Sequence, residues 1–190
     1  EDGVTPRFLP TNDGIRTNPL NEILPNAYVD ERKATRIFSP VYLQVTPFEG
    51  FTFTSTFGPD IRFRQRGEFR GSLTNDNRGG HADAEIENNM DVGFTLENLI
   101  NYRKDIGNSV LGVTLLQSVQ TFRAEDHYSS VANLPYESQL FYNLGTGAVK
   151  GNIASDLTEW SLASFMGRVN YDIAGKYNIK PMVHAEGKNS

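Results

Sequence analysis

The chain has 190 residues, no cysteine, 38% apolar residues and 18 basic against 23 acidic side chains, for a formal charge of −5. Without cysteine there are no disulfides, thiolate metal sites or cysteine nucleophiles, and a mildly acidic chain lacks the clustered Lys and Arg that neutralise nucleic-acid phosphates. No apolar run approaches the ~18 residues of a spanning helix, whereas barrel strands, with half their side chains facing water, need only about 9–11.

Residues 1–35 show no clear period and read as a loop or irregular segment, expected on the extracellular side. From there the chain reads as three pairs of long strands, each pair closed by a short turn: about 36–48 with 51–66, 87–105 with 109–123, and 157–172 with 177–186. Neighbouring side chains of a strand point to opposite faces, so each stretch separates into two interleaved sets. In the first pair Ile37, Val41, Leu43 and Val45 alternate with Tyr42, Gln44 and Thr46. The chain returns with Phe51, Phe53 and Phe57 against Thr52, Thr54 and Thr56. The central strand sets Val92, Phe94, Leu96, Ile100 and Tyr102 against Asp91, Gly93, Thr95, Glu97, Asn101 and Arg103, with Asn98 interrupting the apolar set and Leu99 the polar one. Its partner sets Leu111, Val113, Leu115 and Val119 against Gly112, Thr114, Ser118 and Gln120. The last pair sets Ala163, Phe165, Val169, Tyr171 and Ile173 against Ser164, Arg168, Asn170 and Asp172, then Tyr177, Ile179, Val183 and Ala185 against Asn178, Lys180, His184 and Glu186.

The connections between pairs, Gly67–Ile86 and Ala124–Asp156, are long and rich in Asn, Asp, Gly and Ser. Short turns on one side and long loops on the other describe a transmembrane β-barrel wall. A soluble sandwich also alternates, but its strands average about five or six residues, and these patterns persist for twelve or more. Phe48, Phe51, Tyr102, Tyr171 and Tyr177 sit beside the short turns, as an interfacial aromatic belt requires. Asp91, Glu97, Arg103, Arg168, Lys180 and Glu186 stand on the polar face, where a wet lumen keeps them hydrated. The fold class is therefore all-β, an antiparallel up-and-down transmembrane barrel segment with short periplasmic turns and long extracellular loops. Six strands cannot close a barrel whose smallest bacterial forms have about eight, and open edges in lipid leave backbone groups unpaired. The chain reads as an internal piece of a longer polypeptide.

Catalytic, cofactor-binding and metal-binding residues are expected to be absent. Histidines 81, 127 and 184 are scattered without ligand spacing. Asn75-Asp76-Asn77-Arg78-Gly79-Gly80 has oxygen ligands and glycines but not the EF-hand spacing, and reads as a solvated loop. Asp83, Glu85 and Glu87 read as a hydrated strand start rather than an acid–base pair, and Gly145-Thr146-Gly147 lacks the βα context of a phosphate cradle. Tyr128, Tyr136, Phe141 and Tyr142 offer rings on which a sugar stacks or a partner docks; a loop held together by its own aromatics explains them equally.

The segment Tyr42–Gly58, the stretch Asn88–Tyr102 and the run Ser164-Phe165-Met166-Gly167-Arg168-Val169-Asn170-Tyr171 with Gly175-Lys176-Tyr177 together resemble hairpins of the SusC/RagA-type TonB-dependent outer-membrane transporters of Bacteroidota. His184-Ala185-Glu186-Gly187-Lys188-Asn189-Ser190 resembles that family's Arg-x-Asp-Gly-x-Ser strand end, with His184 for the Arg, Glu186 for the Asp and Asn189 inserted before the Ser. The resemblance covers most of Ile37–Ser190. It implies part of a barrel of about 22 strands with a plugged lumen, in the cell outer membrane, importing oligosaccharides or peptides with a SusD-like lipoprotein and TonB as partners and no cofactor. Two other readings remain at this stage: a soluble all-β binding or adhesion module, and a passive porin-like channel.

Overall fold

A computed structural model describes residues 19–189. After a 3₁₀ turn at Pro19–Ile23 come eight strands: β1 (Tyr28–Phe38), β2 (Val41–Val45), β3 (Phe51–Arg70), β4 (Ala82–Ile106), β5 (Ser109–Leu134), β6 (Val149–Ile173), β7 (Tyr177–Ile179) and β8 (Met182–Asn189). They form one sheet in the order β1-β3-β4-β5-β6-β7, with β2 also on β3 and β8 also on β6. The β2–β3, β6–β7 and β6–β8 ladders are antiparallel, pairing Val41 with Phe57, Tyr171 with Ile179, and Phe165 with Ala185. No second sheet is present among the described residues, and no helix there is long and apolar enough to cross a membrane.

The stretch read as one strand over 177–186 is divided at Lys180-Pro181 into β7 and β8, and three further features differ from the sequence reading. Strand structure begins at Tyr28 rather than near residue 36, so 28–35 is not irregular; residues 1–18 lie outside the described part. The stretch read as one strand over 36–48 is divided at Ser39-Pro40 into the end of β1 and the short β2. Proline has no N–H to give to a ladder, so the pairing breaks there. The long strands also run to 20, 25, 26 and 25 residues for β3, β4, β5 and β6. Much of Gly67–Ile86 and Ala124–Asp156 is therefore strand, and the true connections shrink to 71–81 and 135–148. Backbone pairing continues where the side chains of both faces have turned polar, and an apolar period cannot mark its end.

The chain divides into two compact units. One comprises Phe63–Met90, Glu125–Asp156 and the residues up to Thr35. It holds the principal core, in which Phe69, Ala82, Ala84, Val131, Leu134 and Phe141 are buried. The Phe141 ring lies so close to Gly67 that any Cβ there overlaps it. Connection 135–148 is thus folded back onto the sheet rather than spread in solvent. Asn21, fully buried, donates from Nδ2 to the Leu73 carbonyl at 2.9 Å, and the Gly71 N–H donates to Ala27 at 2.7 Å.

The other unit comprises Arg36–Arg62, Asp91–Ala124 and Leu157–Ser190, and contains the short turns. At the first, Gly50 has φ +80°, and a Cβ on it runs into the Arg103 carbonyl, whose own N–H donates to Gly50 O at 2.8 Å. Only glycine suits both the left-handed backbone and the close approach. Ile173-Ala174-Gly175-Lys176 makes the last turn, with φ +54° and +68° at its centre and Lys176 N–H donating to Ile173 O at 3.0 Å. Two positive φ values are the type I′ pattern that suits the strand twist, for which Asn-Gly is the preferred pair. Alanine in the first position carries the left-handed penalty of its Cβ. Ala174→Asn is expected to raise unfolding stability by about 0.5–1 kcal/mol, read as a higher denaturant midpoint with an unchanged slope.

Candidate functional site

In the turn-containing unit the two faces of the sheet carry different chemistry. One presents large apolar side chains with nothing over them: Leu43 is 63% exposed, Phe165 56% and Val183 73%. Phe94, Leu115 and Val169 are exposed in the same way, so no second sheet covers them. A water-soluble sheet of this size does not leave such a continuous apolar patch bare. Near the short turns Phe48 lies 5.0 Å from Phe51 and 6.3 Å from Tyr102, centroid to centroid, which gathers aromatics where the sequence placed a belt. Asn98 interrupts this face without being orphaned: its Nδ2 donates to Gln117 Oε1 at 2.6 Å across the strands. One amide–amide hydrogen bond thus crosses the strands on this face.

The opposite face is polar. Thr52, Asn101, Arg103, Gly112, Thr114, Arg168, Asn170 and Lys180 surround an open concavity of about 480 Å³. The sequence placed Arg103, Arg168 and Lys180 on one face; the structure brings them around one depression. Sequence reasoning missed the stacked pair Phe122–Trp160, 5.6 Å apart at 25°, with Lys188 Nζ 6.0 Å from the indole. Both rings have the strand parity of Thr114 and Arg168, which would have placed them on the polar face. On the same face Arg36 and Arg62 both hold Asp60, each with a 2.8 Å contact.

In the other unit the polar face is a ladder of ions. Arg66 donates from Nε and Nη2 to both Asp30 oxygens at 3.1 Å, reaches Glu85 at 3.4 Å and also contacts Glu68. Arg70 donates to Glu68 at 2.7 Å and to Asp83 at 3.0 Å. Hydrogen bonds from Arg32 and Arg66 hold the Asp30 carboxyl well below the usual carboxylate range. Tyr128 donates its hydroxyl to Glu85 at 2.7 Å, and that bond, with partial burial, raises the phenol. The basic residues Arg66 and Arg70 near the end of β3, with Asp83 and Glu85 at the start of β4, were the signal for this ladder. Asp83 and Glu85 are thus ion-pair partners.

The remaining sequence candidates are structural in their contacts. Asn77 Nδ2 donates to Arg70 O, Gly71 O and Asp83 Oδ1, so the Asn75–Gly80 stretch is tied down by its own hydrogen bonds. Gly147 packs against Val131. Phe141 is a core residue, Tyr142 donates to Glu31 at 2.8 Å, and Tyr136 stays exposed.

Over 185 residues, 94% of the chain, the sequence is 32% identical to TonB-dependent receptor P3 of Formosa agariphila, and it is 27% identical to TonB-dependent receptor P26 of the same organism. The chain resembles TonB-dependent receptors along nearly its whole length. It spans less than a fifth of these relatives, 18% and 19% respectively. Among solved structures, the RagAB peptide transporter superposes with a TM-score of 0.79 over 90% of the chain, at 16% identity, and the peptide importer in its open-open state with 0.78 at 17%. Those likenesses carry the fold, an antiparallel barrel wall, and bear out the SusC/RagA-type resemblance read from the residues. No protein-family model matches the chain.

Two outcomes check the contacts. Asn98→Leu alone leaves the Gln117 amide unpaired on the apolar face and is expected to cost about 1–2 kcal/mol, while Asn98→Leu with Gln117→Leu is expected to be near neutral. A double-mutant cycle on the unfolding free energy reads the difference. Because the Asp30 pKa is depressed, its contribution is present above about pH 4 and is lost as pH falls toward the folded-state value. Arg66→Gln is expected to flatten the acid limb of the stability–pH curve while leaving the neutral-to-alkaline limb parallel to the parent's.

Proposed function

We propose that this chain is part of the barrel wall of an outer-membrane TonB-dependent importer, with its apolar face against acyl chains and its polar face toward a hydrated lumen. The observation that carries this reading is the uncovered apolar face opposite a polar, ion-paired one within a single antiparallel sheet. Lipid removes the cost of that exposure, and alternating strands are the form in which a sheet spans a bilayer. Oligosaccharides or peptides are the substrates, a SusD-like lipoprotein lids the lumen, and TonB supplies energy through the remainder of the polypeptide. The chain itself acts by lining and sealing rather than by chemistry. Support for an importer over a passive channel comes from relatives named as TonB-dependent receptors and from a fold shared with a peptide transporter.

Spin labels placed singly at 111–116 in the full-length receptor, reconstituted in vesicles, test the two faces. Labels at Leu111, Val113 and Leu115 are expected to be relaxed mainly by oxygen, and those at Gly112, Thr114 and Leu116 by a water-soluble nickel chelate. Loss of this two-residue period abandons the membrane reading. Uptake of a labelled substrate that persists after the inner-membrane proton gradient is collapsed transfers the reading to a passive pore.

A further inference from the structure

Gly93 interrupts the side chains on the polar face of β4, between Asp91 and Thr95. Nearest to the point where its Cβ would stand are two backbone carbonyls and one side chain. Thr121 O lies at 3.1 Å, Asp60 O at 3.9 Å and the Phe122 ring at 3.7 Å. β5 lies between β4 and β6, so Gly93 and Trp160 flank Phe122 from opposite sides. Trp160 takes one face of that ring, stacked 5.6 Å away at 25°. Over the other face the missing side chain leaves a slot. Thr95 and Gln120 stand two residues from Gly93 and Phe122 on the same face, toward the short turns. Among the described residues the Thr95 hydroxyl, the Gln120 amide and Trp160 Nε1 have no hydrogen-bond partner from a side chain. The charges nearby are already answered. Arg36 and Arg62 each fork onto both Asp60 oxygens, and Asp91 is engaged as well. Lys188 is exposed, with its Nζ 6.0 Å from the indole.

We propose that the Phe122 face above Gly93 is a stacking subsite for a neutral sugar ring on the lumenal wall. A pyranose presents a face of C–H groups, whose slight positive charge suits the negative face of an aromatic ring. Its rim of hydroxyls both donates and accepts, which matches an indole N–H, a hydroxyl and an amide. A phenyl side chain of a peptide also stacks, but it leaves those three groups without partners as water is displaced. The height on the wall suits a ligand too. Phe122 lies fourteen residues along β5 from the turn residue Asn108, which is about 36 Å above the short turns at the strand rise and tilt of such walls. An apolar band about 25 Å tall that starts at the aromatic belt ends near that level. There the outward neighbours of the two rings, Arg123 and Glu159, form an ion pair. The subsite therefore faces the extracellular end of the lumen, far from the short turns. The inference rests on the proposed reading of this face as the lumenal one, and it adds the substrate class.

The test uses the full-length receptor in micelles of a detergent without a sugar headgroup. It is titrated calorimetrically with maltohexaose, laminarihexaose and xylohexaose, and with an acetylated, amidated hexapeptide of alternating Gly and Phe. At least one neutral hexasaccharide is expected to bind, at least tenfold more tightly than the peptide. Phe122→Leu is expected to weaken that binding at least tenfold, whereas Phe122→Tyr, which restores the ring, keeps it. Gly93→Val, which retains both rings and fills the slot, is also expected to weaken it at least tenfold. Heat-modifiable electrophoretic migration identifies the variants with a folded barrel, and if one fails to fold the other decides. Affinity unchanged in a folded Phe122→Leu or Gly93→Val receptor overturns the proposal, and so does a receptor that binds none of the three hexasaccharides. Tighter binding of the peptide also overturns it, in favour of an aromatic polypeptide. A receptor that keeps its spin-label alternation yet binds no hexasaccharide loses this inference alone; one that loses the alternation loses the underlying reading.

Discussion

The constraint on which this molecule depends is the obligation to pair every backbone N–H and C=O where water is absent. A strand meets it only through its neighbours, so a wall of strands must be long, antiparallel and closely registered. β3 to β6 meet it over 20 to 26 residues each. Once the backbone is committed in this way, the side chains divide by parity alone. One set is free to be apolar and the other free to be charged, with exceptions such as Asn98 in the apolar set and Leu99 in the polar one.

The two units use this arrangement differently. The one holding the long connections builds an ordinary small core of Phe69, Ala82, Ala84, Val131, Leu134 and Phe141, and answers the charges of its polar face internally, Arg66 and Arg70 against Asp30, Glu68, Asp83 and Glu85. The unit holding the short turns has little core. Its stability in water would be poor, because its apolar side chains gain nothing by folding while they remain exposed. Lipid changes that balance, since the same side chains then rest in hydrocarbon, while polar side chains of the same parity pair across the strands, Asn98 with Gln117 and Arg123 with Glu159.

How much of this was legible follows from what makes a pattern visible. The alternation of Val92, Phe94 and Leu96 with Gly93, Thr95 and Glu97 is visible because the two faces meet different solvents, and it located strands, turns and fold class together. Where both faces meet water the contrast disappears. The upper parts of β5 and β6, through Glu125-Asp126-His127 and Asn152–Asp156, therefore read as loop although the ladder continues. The break at Pro40 was readable from the residue itself and was passed over because the apolar period continues across it. Turn positions carried strong signals in Gly50, Gly107 and Gly175. The gathering of Arg103, Arg168 and Lys180 was half legible: parity gives the shared face, but only the order β4-β5-β6 and the pairing of β7 with β6 bring them to one depression. The Arg66 and Arg70 ladder was spelled in alternating charges and needed the partner strand to become ion pairs.

The interruption at Ser39-Pro40 leaves a lasting mark on how the wall can fluctuate. Two short ladders, β1 and β2, hold the flank of β3 where one uninterrupted ladder would have acted cooperatively. Gly58 stands beside the break, where an added Cβ would lie 3.8 Å from Pro40 Cβ, in ordinary contact. A ladder interrupted in this way need not open cooperatively along its whole length, and Arg36 clamps the near end of β1 to Asp60 of β3. In the proposed barrel wall this proline is a seam between two ladders on one strand.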